Sequence, residues 1–350
     1  MVVYGVLYYN LGMNEEILYS ARLPWPVSWH EWFGREAPLC IEIGFGNGQF
    51  LLEMAKRHLN MNWLGVEISA PSLRKAAKKA RTAGLTNVRV VQGNAWYVLW
   101  ALCAPQSVQA VYLNFPDPWP KERHHHRRLI QKRFLDLLGS RIVPGGLLEI
   151  ATDHAEYAAW ITAVLQQTPW FYSRTDTPFL TDDPERTRTK YELKALAEGR
   201  ICHYYKWQRN DKPVSDLFPV PEEFPMPHVI LRTPLTLSEI AERFQPVTVS
   251  EGDTHVHLME IFESRTAAKL LVEAYVKEEP MNQRVGLVIE PREDMGDIRI
   301  GLGEVGFPRP TRGIQVAIRH LAEWVVSLHP ATEIAYSNLG VKTNWSKSSG

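Results

Sequence analysis

The chain has 350 residues, a length that suits about two domains. Its apolar fraction, 45%, is enough for sizeable cores. Lys and Arg total 39 and Asp and Glu total 39, so no global charge draws the chain to a polyanion and any nucleic-acid surface must be local. No stretch reaches the roughly 18 apolar residues of a membrane span. The N-terminal stretch MVVYGVLYYNLGMNEE lacks the basic start and apolar core of a signal peptide. Cys40, Cys103 and Cys202 are odd in number and far apart, with neither a disulfide framework nor a metal-ligand spacing. They read as small core fillers in a reducing cytoplasm.

In chain order, LCIEI (39–43) predicts a buried strand and GQFLLEMAKRHL (48–59) a helix with one apolar face. NWLGVEI (62–68) is a second strand, and PSLRKAAKKARTAG (71–84) a helix with proline at its start and glycine at its end. VRVVQG (88–93), VQAVYLNF (108–115) and LLEIATD (147–153) are further strands. Apolar strands separated by helices predict a parallel α/β sheet covered on both faces. Such sheets bind ligands at the strands' carboxyl ends. Glu42 to Gly48, Glu67, Asn94, Asn114 to Trp119 and Asp153 all fall there. ICHYYKWQR (201–209) alternates like an antiparallel strand closing this domain, 1–209. Residues 210–227, rich in proline and acid, predict a linker. Residues 228–350 form a smaller α+β domain, with strands at HVHLMEIFES and QRVGLVIEP, an amphipathic helix at 312–328 and a frayed tail.

EIGFGNG (42–48) ends one strand and opens a helix, and glycines there let backbone approach a ligand closely. The Glu-x-Gly-x-Gly-x-Gly spacing, with Gly44 and Gly46 at its centre, is neither the dinucleotide nor the phosphate-loop pattern. An acid at its head suits a ligand with a cationic amino-acid end, such as S-adenosyl-L-methionine. A dinucleotide or a plain tight turn are the other readings. Glu67 is placed to accept from ribose hydroxyls of either ligand. Asn94 is placed for an adenine amine, or is a turn residue.

The stretch NFPDPWPKERHHHRR (114–128) breaks a strand on two prolines around one aspartate. Pro116 and Pro118 restrict their own φ and their predecessors' backbone, so Asp117 is held in one orientation. Trp119 offers an aromatic face for a base. Lys121, Arg123, His124, His125, His126, Arg127 and Arg128 follow, a run that reads as a solvated face or, behind a catalytic aspartate, as a phosphate clamp. Adjacent histidines rarely converge on one ion, so no metal is expected. Arg74, Lys75, Lys78, Lys79 and Arg81 line the helix at 71–84 and read mostly as its solvent face.

Together EIGFGNGQFLLEMA, LNFPDPWPKERHHHRR, ATDHAEYA and TKYE (189–192) resemble the bacterial tRNA (guanine-N7)-methyltransferases, over roughly residues 30–210. The resemblance implies a Rossmann-like class I S-adenosylmethionine-dependent methyltransferase sheet and transfer of a methyl group to N7 of the variable-loop guanine, position 46, of tRNA. It places cofactor contacts on Glu42, Glu67, Asn94 and Asp117, where many members have Asp at the position of Asn94. It places substrate contacts on Lys121, Asp153, Thr189, Lys190, Tyr191 and Glu192, and RNA contacts on Arg123 to Arg128. Some members, notably from thermophiles, carry a C-terminal extension. Guanine N7 needs no base before attack, so a carboxylate that meets the forming cation suffices; Asp117 is the candidate, with Asp153 and Thr189 to Glu192 holding the base. Rival readings are an amino-group RNA methyltransferase, since NFPDPW is a distant cousin of the Asn/Asp-Pro-Pro-aromatic turn, a non-catalytic RNA-binding module, and a dehydrogenase. The expected partner is tRNA, with no membrane and no metal, for a monomer or homodimer.

Overall fold

A strand with no polar face has to be covered on both sides, and the first half of the chain is built on that requirement. The computed structural model describes residues 17–216, 218–220, 226–278, 281–292, 296–305 and 308–340. The stretch tested above for a signal peptide and the tail read as frayed lie outside the described residues. The chain divides into two units, Met1–Val220 and Pro221–Gly350.

The first unit holds an eight-stranded sheet. Its strands are β1 (Ile17–Tyr19), β2 (Leu39–Ile43), β3 (Asn62–Glu67), β4 (Val88–Gln92), β5 (Val108–Asn114), β6 (Ile142–Thr152), β7 (Phe171–Ser173) and β8 (His203–Arg209). Their order is β1-β4-β3-β2-β5-β6-β8-β7. The pairs from β1 to β6 are parallel, while β8 runs antiparallel to both β6 and β7. The helices are α1 (Trp29–Phe33), α2 (Gln49–Arg57), α3 (Ala70–Thr82), α4 (Ala95–Tyr97), α5 (Lys132–Arg141), α6 (Ala155–Gln167) and α7 (Lys190–Ala197). This is the Rossmann-like arrangement that the resemblance implied. From β2 the chain builds outward through β3 and β4 on one side, then returns to β5 and β6 on the other. The crevice between β2 and β5 is therefore the topological switch point, where ligands of such sheets bind.

Local chemistry accounts for the elements. β2 is buried at all five positions. α3 starts on Ser69, whose side chain accepts from the Ser72 N–H, and buries Leu73, Ala76, Ala77 and Ala80. Gly84 follows in the left-handed region, φ 64°, and stops the helix. One strand is longer than its sequence predicts: β6 begins at Ile142, before the turn-like Pro144–Gly146. The register slips here between Val108 and Ala110 of β5, so the Pro-Gly-Gly run is an irregularity within a strand and not its boundary. Cys40, Cys103 and Cys202 are free and buried.

Part of the segment read as a linker packs on the first unit. Arg141, with no exposed side-chain surface, pairs with Asp216 at 3.0 Å and donates to the Phe218 carbonyl at 3.1 Å. The Phe218 ring meets Trp96 edge-on, with centroids 5.3 Å apart.

The second unit is an antiparallel sheet of β9 (His228–Arg232), β10 (Val247–Glu251), β11 (Thr254–Glu263), β12 (Leu270–Glu278), β13 (Met281–Pro291), β14 (Asp297–Leu302) and β15 (Glu333–Ser337). The order is β10-β11-β12-β13-β14-β9-β15. α8 (Leu237–Glu242) starts on a capping box of Thr236 and Glu239. α9 (Arg312–Ser327) lays Ile314, Ala317, Ile318, Leu321 and Val325 into one core with Val256, Val272, Leu287 and Ile300 of the strands. No helix among the described residues is long and apolar enough to cross a membrane.

Gly48 joins the glycine turn to α2 with φ 74°, and a Cβ there would stand 2.9 Å from the Ala76 Cβ of α3. Gly48→Ala should therefore cost about 1–3 kcal/mol from left-handed backbone and overpacking together, measured as a lower denaturation midpoint.

Candidate active site

The carboxyl end of β2 turns on three glycines in the left-handed region, Gly44, Gly46 and Gly48, with φ of 68°, 54° and 74°. Above Gly44 a Cβ would meet nothing within 4 Å, which leaves open space beside the backbone. Glu42, 1% exposed, closes the floor. Its Oε1 accepts from the Asn114 amide at 2.8 Å. Its Oε2 is equally buried and has no hydrogen-bond partner among the described residues. Burial raises the carboxyl to about pH 7, against the lowering effects of Asn114 and of the Arg186 charge. A buried acid with one unused oxygen beside an open glycine turn fits the α-ammonium of S-adenosyl-L-methionine, which would satisfy that oxygen and hold the acid ionised. Glu67, at the end of β3, is fixed by backbone: Oε2 accepts from Gly46 at 3.0 Å, and Oε1 from Ile68 and Ser69 at 2.8 and 3.1 Å. One lone pair on Oε2 is left for a ribose hydroxyl. Asn94 differs from its expectation. Its Oδ1 accepts from the Trp96 and Tyr97 N–H groups at 2.8 and 3.4 Å, capping α4. The acceptor meant for an adenine amine is thus already used, and only the amide N–H groups stay uncommitted.

At the end of β5 the Pro116-Asp117-Pro118 turn is framed by two non-glycine residues in the left-handed region, Phe115 at φ 53° and Trp119 at φ 44°. Such residues cost roughly 1–3 kcal/mol each and persist only where the surroundings hold them. The Phe115 N–H is tied to Ala151 of β6 at 2.8 Å. Arg128 holds the other side. Its Nε donates to the Pro118 carbonyl at 2.8 Å, and its Nη2 pairs with Glu156 of α6 at 2.6 Å. Its guanidinium lies over Tyr157 and Trp160, 5.3 and 5.0 Å from their centroids. Asp117 itself is exposed and has no hydrogen-bond or ion-pair partner among the described residues.

The basic run therefore divides, which corrects its reading as one RNA-facing stretch. Arg128 is 2% exposed and cannot meet phosphate. His125 is half-buried, 3.2 Å from Glu156 and tilted against Trp160. His124 sets its ring edge on Trp119. Lys121, Arg123, His126 and Arg127 remain exposed, with Arg127 5.0 Å over the Trp119 ring. Periodicity offered no way to separate the two groups, because Glu122–Arg127 is a 3₁₀ helix that ends at Arg128.

The TKYE motif also divides. Thr189 caps α7 in a capping box with Glu192. Glu192, wholly buried, accepts from the Thr189 N–H at 3.2 Å, from Tyr204 at 2.9 Å and from Arg186 at 3.4 Å. It is a structural anchor and not a base-contacting acid, because no surface of it reaches solvent. Lys190 and Tyr191 point outward, and the Tyr191 ring lies 3.9 Å from where a Gly46 Cβ would be. Asp153, at the end of β6, forms an ion pair with Arg200 through Oδ2.

Arg186 is the residue that sequence reading missed. With 4% of its side chain exposed, it donates to Asn114 and to Glu192 and lies 3.9 Å from Glu149. It also sits over Phe50 and Tyr204. One buried cation thus joins β5, β6, β8, α2 and α7, and through Asn114 it orients Glu42. Its only signal in the sequence was a basic residue in a stretch without periodicity. Among the described residues no group of three or more His, Cys, Asp or Glu could hold a metal ion.

The chain is similar in sequence to proteins of known assignment. A family model described as "Putative methyltransferase" covers residues 36–204. The tRNA (guanine-N(7)-)-methyltransferase of Corynebacterium jeikeium is 37% identical over 216 residues, 57% of this chain and 84% of that protein. This chain belongs to the tRNA (guanine-N(7)-)-methyltransferase family. A member from Halorhodospira halophila is 43% identical over 173 residues, 49% of this chain and 74% of its own length. The member from Thermus thermophilus is 32% identical over 312 residues, 88% of this chain and 95% of that protein. An alignment of that span takes in most of the second unit, so the extension has a counterpart in the family.

The split of the basic run is testable. Arg128→Ala leaves the Pro118 carbonyl without its donor, a cost of about 1–3 kcal/mol, and should lower turnover while leaving the salt dependence of tRNA binding unchanged. Arg123→Ala with Arg127→Ala should do the reverse.

Glu42 gives a pH prediction. Its folded value near 7 lies above the ordinary 4.5. The folded chain therefore keeps a proton that the unfolded chain has released, and ligand-free stability falls as pH rises from about 4.5 to about 7. Glu42→Gln should remove that slope and raise stability at pH 8 by up to about 3 kcal/mol. It should also abolish the tightening of cofactor affinity between about pH 6 and 8 expected of the native chain, read by calorimetry.

Proposed function

We propose that this chain methylates N7 of the variable-loop guanine, position 46, of tRNA, with S-adenosyl-L-methionine as donor. The observation that carries the reading is Asp117: an exposed, unpartnered carboxylate on a strained and clamped turn, one strand from the free oxygen of Glu42. Glu42 takes the α-ammonium, Gly44 and Gly46 give the close backbone approach, Glu67 takes the ribose, and Asn94 lies at the adenine end. Tyr191 covers the outer side of the glycine loop. S-adenosyl-L-methionine supplies an electrophilic methyl group, which N7 takes with its lone pair as the carbon–sulfur bond breaks and sulfur leaves as a neutral thioether.

The guanine gains a positive charge and no proton has to move first, so the chain needs no general base. Asp117 meets the cation as it forms, an electrostatic role suited to a group whose backbone is already held in place. Asp153, with Oδ1 free of Arg200, accepts from the guanine N1–H and 2-amino group. Lys121, Arg123, His126 and Arg127 hold the flanking phosphates. Residues 1–220 are the catalytic part, residues 228–350 an accessory domain, and the setting is the cytoplasm.

The test is to incubate the protein with tRNA and labelled cofactor and map the product by borohydride and aniline cleavage. Scission at the variable-loop guanine is expected; label at an exocyclic amine, or none, would end the proposal. Asp117→Asn should slow single turnover by about 10²-fold, with a smaller change in cofactor affinity.

A further inference from the structure

The outer face of α3 is a basic surface with no part in the reaction so far. Arg74, Lys75, Lys78, Lys79 and Arg81 are exposed, and the residues between them, Ala76, Ala77 and Ala80, are buried. No acid occurs from Ala70 to Thr82. Among the described residues Arg74, Lys75 and Lys78 form no ion pair, whereas α2, α5 and α7 each pair a cation with an acid one turn away. This concentration arises in a chain with no net charge. Residues 228–350 hold 13 Lys and Arg against 16 Asp and Glu, so their overall charge adds no attraction for a polyanion.

The face is built onto the cofactor loop. Lys79 Nζ donates to the Asn47 carbonyl at 3.0 Å, and Ala76 packs on Gly48. α3 leaves the sheet directly after Glu67, and the Lys121–Arg127 run leaves it after β5. In the sheet order β3-β2-β5 these exits flank β2 at the same edge, about 10 Å apart at two strand spacings.

We propose that Arg74, Lys75 and Lys78 form a second phosphate-binding surface for tRNA, across the cofactor loop from the Lys121–Arg127 surface. The target guanine enters between two anchored stretches of backbone. The geometry suits the chemistry, since a nucleotide drawn out of its stack has to be kept from returning, and phosphates held on both sides do that. The inference rests on the proposed tRNA activity and adds to it where the RNA lies.

The experiment compares the full chain with an Arg74→Gln/Lys75→Gln/Lys78→Gln variant in tRNA binding across salt concentrations, with N7 methylation of the native chain mapped in parallel. The slope of log affinity against log salt should become shallower by about 2 units. Cofactor affinity and melting temperature should stay as in the native chain, because the three side chains are exposed and Lys79 is kept. If the triple variant melts early, the single variants report instead, each with a slope change near 0.7–0.9. An unchanged slope in a folded variant, with the native chain methylating N7, overturns this proposal alone. A native chain that methylates nothing at N7 overturns the functional reading instead.

Discussion

The site depends on one buried guanidinium holding a strained loop. Left-handed backbone at Phe115 and Trp119 is unfavourable for residues with side chains, and prolines at 116 and 118 restrict every way of relaxing it. Arg128 makes the conformation persist by binding the Pro118 carbonyl and carrying the load to Glu156 and two aromatic rings of α6. The result is a backbone held in place that presents an exposed carboxylate, Asp117. In the role proposed for Asp117, backbone already held in place leaves less to reorganise as charge develops, which is the condition under which electrostatic stabilisation is large.

A second buried arginine performs a related task for the cofactor side. Arg186 lies among Glu42, Glu149 and Glu192, and its charge offsets part of what burying three acids costs. It acts on Glu42 through Asn114 and on the Tyr191 segment through Glu192. The glycine loop, the end of β5 and the start of α7 therefore share one polar network. Glu42 is left with an oxygen that only an incoming donor satisfies. Burial, unfavourable for the empty acid, is in the proposed reading what would favour a cationic ligand.

Charge is divided along the chain as well as within the site. The neutral total conceals a first unit that carries both exposed basic surfaces and a second unit with an acidic balance. The second unit spends its polar groups internally: Glu278 caps the start of α9 at the Gly313 N–H, and Gln283 binds the backbone of Arg309 on both sides. Its organisation is that of a self-contained sheet and helix. The counterpart in the Thermus thermophilus relative places the unit within the family's own range.

The sequence by itself determined the parallel sheet, the carboxyl ends of its strands and the glycine turn, because apolar runs, glycine spacing and proline restriction act locally. It also determined the restricted backbone at Asp117, since the two flanking rings are neighbours in the chain. What only the tertiary structure decided was which charges face outward. Arg127 and Arg128 are adjacent and alike, yet one lies on Trp119 in solvent and the other is buried under α6. Glu192 and Tyr191 divide in the same way. Arg186 could not be foreseen, because its partners come from five separate elements. Burial of a charge is settled by atoms distant in sequence, and no local pattern of residue types records it.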